Sequence, residues 1–593
     1  MSVSEEEADT ALAEAHFQSG RWSEAAAIYS RLLDLAPEDF TSNLRLGTIL
    51  CNVGRGDEAI PYLDRCADQR PDVAEAFYQR GKARAESGDP RGAIPDLNAA
   101  VTLEPAFTEA LAALGAALQL LNRHREVLDI LDRLDKLLPN HKVIQGHYLQ
   151  TAQALCDWEA IDRLRRRLEA QVTSGEAVVS PQTMLMSFAD PGLLHKCAVH
   201  YQRNLLANFP EVTSFPSNAH HGKVHVAYIS ADFRDHATSL LISDLIARHD
   251  RTRFQVIGVS SGPDDGSNIR ASLKRAFDQF LDIRGMNDIQ VVDKLRKMEI
   301  DIAVDLNGHT RNARNGILAL RAAPVQINFL GFPCTMGADF IDYIIADPVV
   351  LPREDQRFYS EKVVYLPHSY QPNSAMRPRL APFSRKSYGL PEQAFVFCSF
   401  NSHFKITEAV FDVWMRLLSE IPGSVLWLLK DAGDETLRRE AQRRGIDPAR
   451  LVFAPRTPVH LHLSRIAVAD LALDTMPCNG HTTTSDALWM GIPVVTCLGR
   501  TFFAGRVSAS LLKAAEIPEL VVETLQDYAA CALELARDRS SLDALRRRLD
   551  VNRLSAPLWD AQRFCENIEK AFTVMAGKSR GGQAPEGFDV CSD

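Results

Sequence analysis

The chain has 593 residues, 46% of them hydrophobic and 24% charged, which is material for roughly three or four globular domains and excludes a disordered or fibrous chain. Its formal net charge of −10 argues against nucleic acid as a partner but leaves room for a local phosphate site. Eleven scattered cysteines with no C-x-x-C pair read as reduced thiols of a cytoplasmic protein, and the absence of an uninterrupted apolar run of about 18 residues predicts no membrane span.

The chain opens on "MSVSEEEADTALAEA", acidic and helical, which does not read as a secretory signal. Prolines then recur every 34 residues at Pro37, Pro71, Pro105 and Pro139. In the same register stand Gly47, Gly81 and Gly115, preceded by Ala13, and Ala25, Ala59 and Ala93, continued by Val127. Gly20, Gly54 and Gly88 mark the turns, with Asn122 in the fourth. This period and pattern look like the tetratricopeptide repeat: small residues let two helices approach, and proline follows the second helix because it cannot continue it. A fifth, degenerate pair beginning "VIQGHYLQ" reads as a cap, so residues 1–174 are taken as the repeat array. Such α-solenoids present a concave face to proteins or peptides; the plainer alternative is that the array only stabilises its neighbour.

Residues 175–221 read as a connector, after which short apolar β-rich runs alternate with helical stretches. "VHVAYIS", "QVIGVSS", "IDIAVDL" and "VQINFLG" predict a parallel sheet covered on both faces in residues 222–380. Gln371–Ser387 reads as a linker. "AFVFCSF", "SVLWLLK", "RLVFAP", "DLALDT" and "PVVTC" predict a second such lobe in residues 381–576, followed by a disordered tail, 577–593. Two Rossmann-like α/β lobes leave a cleft, and ligands of such sheets sit beyond the strands' carboxyl ends.

The loop "PCNGHTTT" joins a strand of the second lobe to a helix. A helix start exposes unpaired N–H groups and a partial positive charge. Gly480 permits close backbone approach, and Thr482 and Thr483 add hydroxyls, which together suits a diphosphate. It is not a P-loop, since the G-x-x-x-x-G-K-[ST] spacing and its lysine are missing. Asp486, about one turn on, is placed to accept hydrogen bonds from a ribose. The alternative is that Thr482 merely caps the helix and His481 packs in an interface. Lys405, in "FNSHFKI" after a strand end, can add a full charge to the same anion. His220, His221 and His225 stand close together but lack partners at zinc-like spacing. His368 ends a first-lobe strand and is a weaker candidate for the cleft.

"CNGHTTTSDALWMGIPVVT", "FNSHFKI", "DLNGHTRNARNGILALRAAPVQINFLGFP" and "SADFRDHATSLL" together resemble the O-linked N-acetylglucosamine transferases, including their Spindly-type members. The resemblance runs over nearly the whole chain. It implies a repeat array followed by a GT-B-type transferase that moves a sugar from a nucleotide donor to protein Ser or Thr hydroxyls, inverts the anomeric centre and needs no metal or other cofactor. No D-x-D motif occurs in the chain, in agreement with the last point. By the resemblance, Lys405 meets the diphosphate, His481, Thr482 and Thr483 form the phosphate-contacting run, and Asp486 is the ribose carboxylate. His462 stacks near the nucleotide with Arg465 beside it. His236 is the base or the acceptor-positioning group, and Asp305 and His309 lie near the sugar and acceptor. Asp305 or the donor's own phosphate are alternatives for the proton.

Two positions depart from the family pattern. Ser402 stands where donor-binding members carry glutamine, and Val459 where animal members carry a lysine against uracil. Both bear on the donor, so UDP-N-acetylglucosamine is expected first and GDP-fucose, the donor of Spindly-type members, stays open. A catalytically inactive repeat scaffold that only binds partners, and a transferase acting on a small or glycan acceptor, are the competing functions.

Overall fold

The computed structural model describes residues 3–139, 141–207, 209, 222–375, 377, 384–498 and 502–591. They fall into two compact units, Met1–Thr151 and Ala152–Asp593.

The first unit is built from helix pairs: Val3–Gln18 with Trp22–Leu35, Phe40–Asn52 with Gly56–Gln69, Ala74–Glu86 with Pro90–Leu103, and Thr108–Leu120 with His124–Leu137. The turn positions need a left-handed backbone, with φ of +72°, +76° and +85° at Gly20, Gly54 and Gly88 and +55° at Asn122, which glycine and asparagine tolerate best. A Cβ on Gly47 or Gly81 would lie 2.7 Å from the side chain of Leu63 or Leu97, so the recurring small residue is a packing requirement. The fifth pair is Ile144–Leu155 and Trp158–Ser174. The division between units falls inside its first helix, earlier than the expected boundary at residue 174.

The region expected as a plain connector holds two helices, Pro181–Leu185 and Pro191–Leu205. His220 and His221 lie outside the described residues. Beyond them come β1 (Val224–Ser230), β2 (Phe254–Ser260), β3 (Gln279–Asp282), β4 (Ile302–Asp305), β5 (Val325–Asn328), β6 (Tyr343–Ala346) and β7 (Lys362–Tyr365). The second lobe holds β8 (Val396–Ser399), β9 (Val425–Leu429), β10 (Leu451–Ala454), β11 (Leu471–Leu473), β12 (Val494–Cys497) and β13 (Val521–Val522). The sheet orders are β7-β6-β5-β4-β1-β2-β3 and β10-β9-β8-β11-β12-β13. Each pairing is parallel. Every residue of β4, β5, β8 and β9 is buried, which is why these strands read as unbroken apolar runs.

The chain's last segment departs from expectation. The final helix, Ala561–Arg580, packs on β1, β5 and the Ala237–Arg248 helix of the first lobe. It is followed by β14 (Phe588–Asp589), which pairs with β7 as an eighth strand of the first sheet. The segment expected to be disordered is therefore ordered through Cys591. Buried Val590 and the ion pairs Arg353–Asp589 (2.6 Å) and Lys578–Glu586 (2.8 Å) hold it. Its glycines and polar residues hid this anchor.

Candidate active site

A cavity of about 520 Å³ opens at the carboxyl ends of both sheets of the second unit. Asp235, His236, Ala237 and Leu240, after β1, form its first-lobe wall. Facing them are Phe400, Asn401, Ser402 and Lys405 after β8; Arg456, Thr457, Val459, His462 and Arg465 after β10; and His481, Thr482, Thr483 and Asp486 after β11. Nine of the twelve residues expected from sequence thus meet in one place; Gly480, Asp305 and His309 do not line it.

The loop after β11 is organised by Asp474, which the sequence reading passed over. Buried, it accepts hydrogen bonds from the amides of Thr475 (2.8 Å) and Gly480 (2.6 Å) and from the Thr496 hydroxyl (2.6 Å). Burial pushes its carboxyl above the usual range while these donors oppose the shift. Lys405 Nζ donates to the Asn479 carbonyl at 2.6 Å, which sets the ammonium beside the start of the Thr482–Trp489 helix. No side chain caps that helix, so Thr482 is not a cap, and its first-turn amides are left for an anion. Thr483 donates its hydroxyl to Asn401 Oδ1 at 2.6 Å. Ser508 donates to the Gly480 carbonyl at 2.9 Å and lies 2.8 Å from the Thr484 hydroxyl. A Cβ on Gly480 would lie 2.5 Å from Thr484 Oγ1 and 2.6 Å from Thr483 Oγ1. The glycine is therefore needed to fit the loop onto its own hydroxyls. Burial and then the charge of Lys405 lower His481 to about 3, so its ring is neutral.

Asp486 does not stand alone. Arg377, from the segment read as a linker, donates to its Oδ1 at 2.7 Å and to Asn373 Oδ1 at 2.8 Å. Burial raises the Asp486 carboxyl to about 6 against the pull of Arg377. At the far end of the cavity, Arg465 donates to His462 Nδ1 at 2.8 Å and stacks its guanidinium 4.9 Å from the Phe400 ring centre. Burial, then the charges of Arg465 and Arg456, lowers His462 to about 3. A neutral ring that accepts at Nδ1 carries its proton on Nε2. Arg456, another residue missed from sequence, is 68% exposed and makes a long 3.4 Å contact to Asp431.

On the first lobe, His236 is the N-cap residue of the Ala237–Arg248 helix, and its Nδ1 accepts from the Thr238 amide at 3.3 Å. Burial lowers its pKa, with Asp232, 3.9 Å away, opposing. Asp305 ends β4 enclosed, accepting the amides of Asn307 (2.9 Å) and Gly308 (3.0 Å), and burial raises it to about 6. His309 donates from Nε2 to the Met336 carbonyl at 2.9 Å and packs edge-on against Tyr201 and Phe332. Its Nδ1 is buried without a partner, and burial lowers the ring to about 4. His368 lies in a separate recess with Pro557 and Arg563, and His225 Nδ1 lies 3.2 Å from the Met298 carbonyl. Among the described residues, His249, Cys565 and Glu569 are the group that could reach one metal ion, and none of them lines the cavity.

The sequence profile of glycosyl transferase family 41 matches residues 200–377 and 372–568. The chain belongs to that family. A tetratricopeptide repeat profile matches residues 10–74. This family-41 chain is similar to the probable UDP-N-acetylglucosamine–peptide N-acetylglucosaminyltransferase SEC of Arabidopsis thaliana, 32% identical over 470 residues, which is 74% of this chain and 48% of the plant protein. The SPINDLY protein of Solanum lycopersicum, named as a probable enzyme of the same activity, is 32% identical over 405 residues, 66% of this chain and 43% of its own length. The chain thus spans about half the length of the curated relatives it matches. A solved mutant of the Thermobaculum terrenum O-GlcNAc transferase superposes with a TM-score of 0.61 and 26% identity, over 97% of this chain and 98% of that one. Among the described residues, no helix is long and apolar enough to cross a membrane.

Proposed function

We propose that this chain is an inverting, metal-independent glycosyltransferase that moves N-acetylglucosamine from UDP-N-acetylglucosamine to Ser or Thr hydroxyls of proteins. The observation that carries the reading is the meeting of Lys405 with the uncapped first turn of the Thr482–Trp489 helix in one cavity. The relatives' printed names supply the donor and the peptide acceptor.

In this reading the acceptor hydroxyl attacks the anomeric carbon from the face opposite the diphosphate, through an oxocarbenium-like transition state. The main task is to stabilise negative charge building on the departing UDP. Lys405 does so with a full charge, and the amides of Thr482 and Thr483 with the helix-start dipole. Asp486, one oxygen already on Arg377, has its other oxygen for the ribose. His462 offers Nε2–H at the nucleotide end. The Nδ1 of His236 is engaged by the helix it caps, so the neutral ring donates from Nε2 and orients a substrate oxygen. The acceptor proton then passes to a phosphate oxygen of the donor. Protein acceptors are assigned to the repeat array, on its concave face, and scattered cysteines, most of them buried, suit the cytoplasm.

A second reading, transfer of fucose from GDP-fucose, is favoured by the donor end of the cavity, where Ser402 and Val459 depart from the family pattern and Arg456 adds a charge. One experiment separates the two: the purified full-length chain is melted with UDP-N-acetylglucosamine, UDP-glucose or GDP-fucose, then assayed for transfer to a Ser/Thr peptide. The donor that binds the native state raises the melting temperature. Lys405→Ala is expected to lose about 100-fold or more in turnover. Near-normal turnover in that variant would overturn the mechanism, and the absence of any donor-induced shift would leave the scaffold reading standing.

A further inference from the structure

The turn that presents Lys405 is held from behind by residues that are neither in the cavity nor in the sheet that carries it. Lys405 sits in a short 3-10 turn, His403–Lys405. On the cavity side this stretch is tied to the phosphate loop, by Lys405 Nζ to the Asn479 carbonyl at 2.6 Å and by the Thr407 hydroxyl to the Met476 carbonyl at 3.0 Å. On the opposite side, the indole N–H of Trp158 donates to the Ile406 carbonyl at 3.0 Å, and the thiol of Cys156 lies 3.5 Å from the His403 carbonyl. Cys156 and Trp158 belong to the turn between the two helices of the last, degenerate repeat pair.

This contact is built rather than incidental. Trp158 is 7% exposed, Cys156 1%, His403 0% and Ile406 4%, so the two donors meet carbonyls that water does not reach. An unmet buried carbonyl is costly. The indole packs 5.2 Å from the Phe411 ring centre and lies under the Arg444 guanidinium at 5.5 Å. Cys156 holds a φ of +53°, a conformation disfavoured for a side chain with a Cβ and kept only where its surroundings demand it. Gly433 closes the junction: a Cβ there would lie 2.9 Å from His403 Nδ1 and 3.0 Å from Cys156 Sγ. Three segments distant in sequence converge behind the lysine that lines the cavity.

We propose that Trp158 and Cys156 are positioning residues for the nucleotide-sugar site: by hydrogen-bonding the backbone on either side of Lys405, they fix where its ammonium stands against the phosphate loop. The inference rests on the function proposed above. It assigns the end of the repeat array a part in donor binding, separate from any part in holding acceptors. Trp158 touches no substrate and acts only through the turn.

The test is a double-mutant cycle on the full-length chain, read by calorimetric titration with UDP and with GDP as probes. Trp158→Phe keeps an aromatic ring against Phe411 and removes the N–H. One buried hydrogen bond to a positioning carbonyl corresponds to a loss of about five- to tenfold in affinity for the nucleotide that binds. In a Lys405→Ala background the same substitution is expected to change affinity by less than about twofold, because the group it positions is gone. Equal losses in both backgrounds would mark Trp158 as a general structural residue and overturn the proposal, as would unchanged affinity in Trp158→Phe alone. Should Trp158→Phe fail to fold, Cys156→Ala, a smaller change at the same turn, takes its place in the cycle with the same outcomes. A wild-type chain that binds neither nucleotide removes the proposed function and this inference with it; wild-type binding with an unaltered variant removes this inference alone.

Discussion

Asp305 ends a strand of the first lobe and Lys405 lies in a turn just beyond a strand of the second, and only the lysine faces the cavity. The Asp305 carboxyl is enclosed at the end of β4, where loss of solvent outweighs two backbone amides and raises it to about 6 from a usual value of 3.8. A carboxyl raised on folding stabilises the native state fully below its unfolded value, and that contribution is lost as pH rises through the folded one. Between pH 4 and 7 the wild type is thus expected to lose about 2–3 kcal/mol relative to Asp305→Asn. Denaturation of both proteins across that range measures it; wild type gaining on the variant with rising pH would mean that the Asn307 and Gly308 amides dominate. At this scale, helix starts and strand ends, which have known directions, pointed to Lys405, Thr482, Thr483 and Asp486, whereas His236, Ser402, His462 and Arg465 came from the family resemblance alone. Sequence did not reach Asp474, Arg377 or Arg456. Asp474 organises the loop after β11 from beneath, through contacts to Gly480 and Thr496 that only the folded chain creates. Arg377 meets Asp486 across more than a hundred residues of chain.

The helix Thr482–Trp489 is the element on which the site depends, and its start is left uncapped. An ordinary helix at this place would gain about 0.5–2 kcal/mol from a capping side chain. Forgoing it leaves amides for a ligand. His481→Asp supplies both an acceptor and a negative charge at the N-cap position, beside Lys405. It is expected to raise the melting temperature of the nucleotide-free protein and to weaken UDP binding at least about tenfold, since the new carboxylate occupies the anion's place. A variant that melts higher and binds UDP as well as the wild type would show that these amides do not serve the ligand. The elements themselves were legible where the code is strong. The 34-residue register gave the helix pairs, and the buried runs of β1, β2, β4, β5 and β8–β12 were each read as strands. The short edge strands β3, β13 and β14 were not, because a strand of two to four half-exposed residues carries no pattern distinct from a loop, and neither was the buried four-residue β6.

At the scale of the whole second unit, the chain's end ties the lobes together. The Ala561–Arg580 helix leaves the second lobe and lies on the first, where Glu569 accepts hydrogen bonds from His249 Nδ1 at 3.0 Å and from the Asp250 amide at 2.7 Å. The Tyr228 hydroxyl completes the chain at 2.8 Å from His249 Nε2. Burial and the Glu569 contact set the balance of charge here: His249 is held below its usual value by burial, and Glu569, although buried, is held below its own by the donors around it. The pair is therefore a neutral imidazole donating to a carboxylate, and neither proton changes hands near neutral pH. Sequence could not show this tie, since its partners are about 320 residues apart and each looks ordinary where it stands. Glu569→Ala strands the buried His249 donor and the half-buried Asp250 amide at a cost of about 2–4 kcal/mol. The loss falls on the contact between the last helix and the first lobe, not on the second lobe's sheet. Heat-capacity scans of the variant are thus expected to show a first-lobe shoulder below the main transition, with Glu569→Gln, which keeps an acceptor, lying between it and wild type. If the whole transition instead moves down intact, the two lobes unfold as one block whatever the helix does, and their cohesion must reside in the rest of their interface.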